Sequence, residues 1–309
     1  MENTGKAKFL RYFALLIAAF VWGTAFVAQS KGSEFIRPFT FTAARAFLGA
    51  LVLIPVILIM DGVKKKKGTW TPPTQKDKKT LLLGGFFCGL VMVFASNLQQ
   101  FGVMYSTVGK SGFITTLYIV LVPIFSLFLK KKSHWIVWIS VAIAVVGLYF
   151  ISFAGGVESI AKGDFFLIAC AVCFTVHILV VDHYANLVDA VKLSCIQFVT
   201  LGVLSATVAL IFERQYFSMN AMLDCWLPVL YAGVGSCGIA FTLQSVGQKG
   251  TNPTIASLLM SLESVFSLLG GIVIMHEGLT WKEGLGCGLM FLAVILTQLQ
   301  DLLKKKKKA

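Results

Sequence analysis

The apolar residues of this 309-residue chain recur in runs of roughly 20, and this spacing restricts its fold more than any other feature. A helix of about that length crosses the ~30 Å hydrocarbon core of a bilayer. Because hydrocarbon offers no hydrogen-bond partners, each spanning segment satisfies its own backbone as a helix, and the alternating pattern of a transmembrane barrel is absent. Hydrophobic residues form 57% of the chain and charged residues only 13%, about half the charged share of a soluble protein. The sequence therefore predicts an all-α polytopic membrane protein.

The apolar runs predict ten transmembrane helices. Their expected bounds are 9–29, 39–60, 81–105, 108–129, 135–154, 164–182, 193–212, 226–247, 254–275 and 281–300. Only Ser106 and Thr107 separate the third span from the fourth, and the link at 276–280 is also short, so nine or eleven spans are alternatives. The first run is too long for a cleaved signal peptide, and no small-residue cleavage site precedes a soluble domain.

The placement of Lys and Arg predicts how the spans are oriented. With a cytoplasmic N-terminus, twenty of the 27 basic residues lie in cytoplasmic segments, five lie outside, and Arg45 and Lys110 lie within spans. Because cytoplasmic loops carry the excess of Lys and Arg, both termini are expected in the cytoplasm. The formal net charge of +13 then reflects topology and contact with anionic lipid headgroups. No nucleic-acid partner is expected, because basic and aromatic residues do not interleave as a binding face requires.

Two short matches within the chain indicate an internal repeat. Residues 121–127 (LVPIFSL) parallel residues 262–268 (LESVFSL), and residues 98–102 (LQQFG) parallel residues 243–247 (LQSVG). These matches pair the third and fourth spans with the eighth and ninth. The first match also places Glu263 opposite an apolar residue of the first half.

The repeated unit therefore has five spans, and two tandem copies of an odd number of spans lie in opposite orientations. The expected units are residues 9–154 and 163–300, followed by a basic cytoplasmic tail at 301–309. Inverted repeats are the architecture of secondary transporters, in which the substrate site lies near the membrane midplane between the halves.

Motifs along almost the whole chain resemble those of one protein family. They are 21–26 (VWGTAF), 41–45 (FTAAR), 106–114 (STVGKSGFI), 117–118 (LY), 122–123 (VP), 163–165 (GDF), 230–235 (LYAGVG), 252–254 (NPT), 261–263 (SLE) and 277–280 (EGLT). In this order and spacing they resemble an EamA-type member of the drug/metabolite transporter superfamily. The resemblance implies ten helices, two EamA repeats and transport of small metabolites across an inner membrane. It leaves the substrate open.

One position departs from the family pattern. Ser264 follows Glu263 where the family usually has a proline. Proline inside a helix removes a backbone hydrogen bond and kinks the helix. We therefore expect the ninth helix of this chain to be straighter than its relatives.

Glu263 lies close to the middle of the membrane in the predicted topology. It is about nine residues into its span, or ~13 Å from the cytoplasmic end at 1.5 Å per residue. A charge at this depth is costly and usually faces a bundle interior or a water-filled path. One interpretation is a buried carboxyl that hydrogen-bonds for packing. The other is a site that binds an ammonium group of the substrate or carries a coupling proton.

Arg45, Lys110, His177 and Trp22 also lie within spans, and we prefer a structural interpretation for each. Arg45 lies ~9–10 Å from the outer face, so its long stem reaches the headgroups, as does that of Lys110. An isolated intrahelical His is usually a hydrogen-bonded packing residue, and Trp22 fills a helix crossing. The functional alternatives are that Arg45 approaches Glu263 and that Trp22 stacks on a solute.

Uncharged polar side chains within the spans complete the candidate site. If several face one cavity, the solute is an amphipathic metabolite. The candidate substrate-binding or coupling residues are Glu263, Arg45, Trp22, His177, Tyr118, Gln99 and Gln244.

Catalytic and metal-binding motifs fail at their defining positions. Lys110 and Ser111 resemble the end of a P-loop, but Met104 occupies the position of the required first glycine. The four histidines are scattered, and the C-x-x-C at Cys170 and Cys173 lies in an apolar helix without neighbouring ligands. We therefore expect no enzyme activity, metal or cofactor.

The combined features predict a multi-pass secondary transporter of the cell membrane. It is expected to export small organic metabolites, such as amino acids or related amphipathic solutes, by alternating access. Its expected partners are the solute, protons or another coupling ion, and membrane lipids. Glycine pairs at 85/89 and 284/288 suggest close helix contacts within a protomer or between two copies of a homodimer. The alternatives are a lipid or lipid-linked sugar flippase and, in another class, a non-transporting membrane scaffold or enzyme.

Overall fold

The computed structural model of the chain describes residues 4–130, 134–152, 162–276 and 280–306. Within these ranges the protein is helical and contains no β-strand. A 3-10 turn at Arg214–Tyr216 and a π-helix at Tyr231–Ala240 interrupt the series of α-helices. The α-helices are α1 Thr4–Ser33, α2 Pro38–Lys66, α3 Gln75–Met104, α4 Val108–Thr115, α5 Tyr118–Phe128, α6 Trp135–Ser152, α7 Lys162–Ala185, α8 Ala190–Phe212, α9 Met219–Asp224, α10 Trp226–Leu230, α11 Phe241–Gln248, α12 Pro253–Met260, α13 Glu263–Met275 and α14 Trp281–Lys306.

Eight rods in the described ranges are long and apolar enough to cross a membrane. They are Gly5–Ser33, Pro38–Lys66, Gln75–Met104, Val108–Phe128, Lys162–Ala185, Ala190–Phe212, Trp226–Gln248 and Pro253–Met275. Two shorter apolar helical stretches, Trp135–Phe150 and Gly284–Leu296, lie at the positions of the predicted fifth and tenth spans. These helices confirm a polytopic all-α membrane protein. The predicted end of the fifth span at 153–154 and most of the link after the ninth span, at 277–279, lie outside the described residues.

Several helices extend beyond the predicted apolar runs because the helical backbone satisfies its own hydrogen bonds in water as well as in lipid. The second helix continues to Lys66 and the third begins at Gln75, both past the apolar run. The predicted tail at 301–309 also continues α14 as far as Lys306, and 307–309 lie outside the described ranges.

Side-chain caps fix where key helices begin. Thr74 and Asp77 form a capping box at the start of α3, in which each side chain accepts from the backbone N–H of the other. The carboxylate of Asp189 accepts from two backbone N–H groups at the start of α8. Such caps satisfy donors that have no partner within the helix.

The helices pack in pairs that join the two predicted halves. The third helix runs along α7, α2 runs along α8, and α6 runs along α14. The first helix in turn runs along the π-helix and α11. The first and third spans therefore each pack along a span of the opposite predicted half. Two related halves packed about a pseudo-twofold axis would produce this arrangement.

Glycine contacts give these pairings a matching residue pattern. A Cβ placed on Gly102 would overlap the side chain of Leu167, and a Cβ placed on Gly247 would overlap the side chain of Leu15. The glycines terminate the two LQ-containing matches found in the sequence. The same kind of close helix contact therefore occurs at the corresponding glycine of each sequence match.

The two glycine pairs singled out in the sequence have different surroundings. Gly85 and Gly89 lie against side chains of α8, so this pair makes the predicted close helix contact within the protomer. Gly284 and Gly288 have no described atom within 4 Å of an added Cβ. The second pair therefore packs against nothing in the described part of the protomer.

Candidate functional site

A cavity lies where α1, α3, the α4–α5 rod, α7, the π-helix–α11 rod and the α12–α13 rod meet. Its empty volume is about 430 Å³, including the space at its mouth, but the room left for the centre of a water molecule is only about 30 Å³. A solute of metabolite size therefore requires the cavity to widen. The wall consists of Trp22, Phe26, Gln29, Gln99, Thr115, Tyr118, Phe174, Ile178, Ser236, Phe241, Gln244, Met260 and Glu263.

One side of the cavity is an aromatic cluster centred on Phe241. Its ring lies 4.6 Å from that of Trp22 and 6.4 Å from that of Phe174, measured between centroids. Phe198 meets the same ring edge-on at 5.7 Å from behind the wall. Such a cluster offers an apolar surface with exposed π-faces to a bound solute.

Buried polar atoms without a protein partner occupy the rest of the wall. Buried polar groups in folded proteins are almost always hydrogen-bonded, so several unpaired ones that face one cavity indicate a place where a solute or water is bound. In the described part of the protein, the unpaired atoms on this wall are Trp22 Nε1, Gln29 Oε1, Thr115 Oγ1, Tyr118 Oη, Gln244 Oε1 and Glu263 Oε1.

Two interrupted rods bring the carboxyl and the phenol into this cavity. The first is broken at Thr116-Leu117, so that Tyr118 begins α5, and the second is broken at Ser261-Leu262, so that Glu263 begins α13. At both breaks a hydroxyl donates to a carbonyl of the preceding turn: Thr116 at 2.6 Å and Ser261 at 2.8 Å. Hydroxyls bonded in this way compete with the helical pattern and bend helices.

The second interruption lies beside the position that departs from the family pattern. With serine at position 264 the rod is still interrupted, immediately before Glu263, and whether it is straighter than in the relatives stays a prediction. The hydroxyl of Ser264 donates to the carbonyl of Ser261 at 2.8 Å, across the break. Serine hydroxyls therefore accompany an interruption here without proline.

The breaks also change the counterpart of Glu263 in the first half. The ungapped sequence match pairs it with Val122, but the interruptions pair it with Tyr118, because each is the first residue after its break. The preceding helix starts agree, since Thr107 and Asn252 are the corresponding N-caps. Val122 is instead fully buried in the hydrophobic core.

Glu263 and Tyr118 are neighbours across the cavity. They are close enough to interact electrostatically, but their geometry does not make a hydrogen bond, since Tyr118 Oη and Glu263 Oε1 both lack a partner in the described protein. Both side chains are nearly inaccessible from outside, at 3% and 4% exposure. A ligand that contacts either group is therefore shielded from bulk water.

Five of the seven candidate residues line this cavity: Glu263, Tyr118, Trp22, Gln99 and Gln244. The two glutamines hold the same place in the two internal sequence matches, so each predicted half contributes one amide to the wall. Trp22 packs on an aromatic neighbour and also faces the cavity, and its stacking on a solute stays a prediction.

His177 and Arg45 lie behind the wall. His177 shares a hydrogen bond of 3.2 Å with Gln197 and packs edge-on against the ring of Phe241, in agreement with a packing role. Arg45 is only 2% exposed, so the expectation that it reaches the outer headgroups is wrong. The helix that carries it, α2, packs against α8 and the π-helix.

Lys110 differs from its expected role as well. Its ammonium lies 2.7 Å from a carboxylate oxygen of Asp164, and the side chain is only 25% exposed. A local ion pair between α4 and α7 therefore replaces the predicted extension to the headgroups. The sequence contained a signal for this pair, because both residues lie within a few positions of an outer helix end.

Several wall residues are not among the candidates predicted from the sequence. Gln29 was overlooked because it lies at the predicted end of its span, where polar residues are common. Thr115 and Ser236 were overlooked because small hydroxyl residues occur throughout the spans. Phe174 and Phe241 carry no signal that distinguishes them from other apolar residues of a membrane helix.

Metal and disulfide chemistry have no candidate in the described ranges. No three His, Cys, Asp or Glu side chains there are grouped so that they could hold a metal ion. Cys170 is buried and Cys173 is half-buried, both as free thiols.

The fold and the cavity together define a class: a multi-pass helical membrane protein with a partly polar cavity inside its helix bundle. The sequence pattern of the EamA-like transporter family matches residues 10–153 and again residues 161–299. The chain belongs to the EamA-like transporter family. It is therefore a multi-pass protein of the cell membrane from a family of transporters, as the sequence motifs indicated.

Individual relatives carry the same description. The chain is 30% identical over 287 residues to an uncharacterized transporter of Archaeoglobus fulgidus, covering 93% of this chain and 85% of the relative. It is 25% identical over 305 residues to the uncharacterized transporter YetK of Bacillus subtilis, covering 96% and 88%. A crystal structure with 21% identity superimposes with a TM-score of 0.71 over 94% of this chain and 96% of the other, which supports the fold.

Proposed function

We propose that the protein is a secondary transporter that exports small organic metabolites, such as amino acids or related amphipathic solutes, by alternating access. The observation that carries this proposal is the group of six unpaired polar atoms on the wall of one cavity built from both halves. An apolar cavity with a few converging polar groups is the usual form of a small-molecule site. The aromatic cluster suits the apolar part of such a solute. The unpaired polar atoms suit its hydrogen-bonding groups.

The proposal includes ten spans arranged as two inverted five-span halves, at about residues 9–154 and 163–300. Support comes from the equivalent glycine contacts, the two equivalent helix breaks and the excess of basic residues on one side. In such folds the halves rock about a site near the membrane midplane. The first of these halves would then carry Tyr118 and Gln99 into the cavity, and the second Glu263 and Gln244.

Topology tags test the inverted arrangement. Reporters fused after Lys66 and after Lys308 are expected to signal from the cytoplasm, and a reporter inserted at 217–223 is expected to signal from outside. An external signal after Lys308 would contradict an even number of spans and hence the two inverted halves.

A comparison of metabolites tests transport itself. Cells that overproduce the protein are compared with cells that lack it, and solutes inside and outside are measured by mass spectrometry. The proposal predicts that at least one small organic solute shifts from the interior to the medium in the overproducing cells. Lipid-linked compounds bound to the purified protein, with no shift of free metabolites, would support a flippase. No transported compound of either kind would support a non-transporting scaffold or enzyme.

We further propose that Glu263 acts directly in this cycle, either by binding an ammonium group of the solute or by carrying a coupling proton. The carboxyl faces the cavity and has no ion pair among the described residues. Glu263→Gln keeps the size and the hydrogen-bonding ability but removes the charge. If the carboxyl carries protons, this variant loses gradient-driven accumulation and retains solute exchange in proteoliposomes. If it binds an ammonium group, exchange falls as well.

Glu34→Gln is the matched control for this change. Glu34 pairs with Lys31 at the outer end of α1, and its side chain is 55% exposed. The control removes the same charge without touching the cavity and is expected to transport like the unaltered protein. Unchanged accumulation, exchange and pH dependence in Glu263→Gln would show that the carboxyl is structural.

A homodimer completes the proposal. Gly284 and Gly288 form a small-residue face on α14 that nothing in the described protomer covers. In membranes such faces allow helices of two copies to approach closely.

A further inference from the structure

Arg45 is the largest fully buried side chain in the described protein. It is 2% exposed, and its Nε has no hydrogen-bond partner. Its guanidinium carbon lies 5.9 Å from the centroid of the Phe41 ring. No carboxylate in the described ranges forms an ion pair with it.

Two lysines near helix ends of this protein do have acidic partners. Lys64 lies 2.8 Å from a carboxylate oxygen of Asp189, and Lys192 lies 2.7 Å from one of Asp61. Burying a charge without a partner is far more costly than burying a neutral polar group. Among the described residues, Arg45 is therefore buried more deeply than these two lysines and lacks the compensation that they have.

The position of Arg45 connects it with the cavity. It lies seven residues after Pro38, or ~10 Å from the outer helix end at 1.5 Å per residue, and the wall residue Phe26 lies seven residues before the outer end of α1 at Ser33. Gly49, one helical turn after Arg45 on α2, packs against Cys237, and Cys237 directly follows Ser236, a wall residue. The segment at Ser236 and Cys237 therefore lies between this face of α2 and the cavity.

The separating segment has an unusual helical form. Ser236 and Cys237 belong to the π-helix Tyr231–Ala240, which packs against α2. π-helical turns are rare and occur frequently at functional sites. Widening of the cavity at this segment would bring the guanidinium to the wall.

We propose that Arg45 binds an anionic group of the transported solute, a carboxylate or a phosphate, when the cavity widens. The proposal rests on the transport function proposed above and names the class of solute. The planar guanidinium donates two parallel hydrogen bonds to either oxyanion. With Glu263 on the same cavity, the site suits a solute that carries an anionic group and a cationic amine.

The test uses cells that overproduce the unaltered protein, Arg45→Gln, Arg45→Lys or the control Arg37→Gln, with protein levels in the membrane matched. Arg37 precedes α2 and stacks on Tyr216 at the outer surface, so its substitution removes the same charge away from the cavity. Mass spectrometry of the medium then identifies the exported solutes. We expect every solute exported by the unaltered protein to carry a carboxylate or phosphate. Export is expected to fall at least about tenfold in Arg45→Gln, less in Arg45→Lys and not in Arg37→Gln.

A second measurement covers the case in which Arg45→Gln does not fold. The thermal stability of the purified unaltered protein is recorded with an exported solute and with its neutral amide or ester. The charged solute is expected to raise the melting temperature and the neutral derivative is not.

The outcomes separate the two proposals. If the unaltered protein exports no solute, the transport function itself is wrong. If it exports solutes without an anionic group, or if Arg45→Gln exports normally, transport stands and the anion site is wrong. Equal stabilisation by the solute and its neutral derivative also overturns the anion site.

Discussion

Charged groups at the ends of α2 and α8 have ion-pair partners, whereas those around the central cavity have none in the described part of the chain. At the helix ends, Asp189 both caps a helix and pairs with Lys64, and Lys192 pairs with Asp61. In the cavity region, Glu263 and Arg45 are more deeply buried, yet neither has an ion pair in the described part of the chain. The helix ends therefore form a framework whose charged groups are paired within the protein, whereas the cavity wall has polar atoms without a partner in the described protein.

The outer end of the same helix pair extends the framework. Both carboxylate oxygens of Glu213 accept from backbone N–H groups at the start of α2, at 3.0 Å from Phe39 and 2.8 Å from Thr40. The α2–α8 pair is thus joined by polar contacts at both of its ends. We expect substitutions in this framework to reduce stability and to leave solute binding unchanged, with the reverse for the cavity.

The largest stability effect is expected at the glycine contacts. Gly102→Val or Gly247→Val places a branched side chain where even a Cβ overlaps the neighbouring leucine. Overpacking of this kind costs about 1–3 kcal/mol of unfolding free energy. Unfolding in a denaturing detergent series measures it, and the two variants are expected to lose similar amounts because the contacts are equivalent. A large loss in only one of them would argue against related halves.

A smaller loss is expected for Asp189→Ala. This change removes an N-cap and the partner of Lys64, and since the pair is partly exposed the combined cost is about 1–2 kcal/mol. Solute exchange is expected to persist in proteoliposomes. An unchanged unfolding free energy would mean that the contacts of Asp189 at the ends of α2 and α8 do not stabilise the fold.

The Asp189 contribution also has a pH signature. Burial raises the pKa of this carboxyl, but hydrogen bonds from Lys64 and the α8 backbone outweigh burial and hold the pKa below its usual 3.8. Because the folded-state pKa is lowered, the contribution is present above pH 3.8 and is lost as the pH falls through the folded-state value. The stability difference between the unaltered protein and Asp189→Ala is therefore expected to shrink in acid. A difference that grows in acid would contradict the ion pair.

Glu263→Gln is expected to change stability little. The carboxyl has no ion pair to lose, so the unfolding free energy stays the same or rises by up to about 1 kcal/mol. Thermal melting in detergent measures this, with Asp189→Ala as the framework reference. A loss of unfolding free energy larger than that of Asp189→Ala would show that the Glu263 carboxyl stabilises the fold, as the framework residues do.

The smallest stability effect is expected for Gly284→Ala. No described atom lies within 4 Å of the added methyl group, and alanine favours helix, so the monomer changes by only about 0.5 kcal/mol. Gly284→Leu, measured by light scattering in detergent, tests the proposed homodimer. It is expected to separate the copies, and an unchanged molar mass would remove this face from the dimer.

The sequence predicted the helices better than the cavity, for physical reasons. Apolar runs define each rod because lipid requires them, so the spans were recognisable in a single chain. Interruptions such as Ser261-Leu262 last only two residues and leave the apolar pattern intact, which hid the equivalence of Glu263 and Tyr118. Depth was predictable from residue counts, but the direction in which Arg45 points depends on its rotation about the helix axis, and packing sets that rotation.

Binding of the exported solute to the purified protein tests the central claim most directly. Titration calorimetry compares the unaltered protein, Glu263→Gln and Asp189→Ala with the solute that the metabolite comparison identifies. We predict an affinity within about twofold of the unaltered value in Asp189→Ala. If the carboxyl binds an ammonium group of the solute, the affinity is at least about tenfold weaker in Glu263→Gln, because a charged hydrogen-bond partner is lost, and if it carries a proton, binding in Glu263→Gln loses its pH dependence. Normal affinity in Glu263→Gln together with lost affinity in Asp189→Ala would contradict the division between framework and cavity.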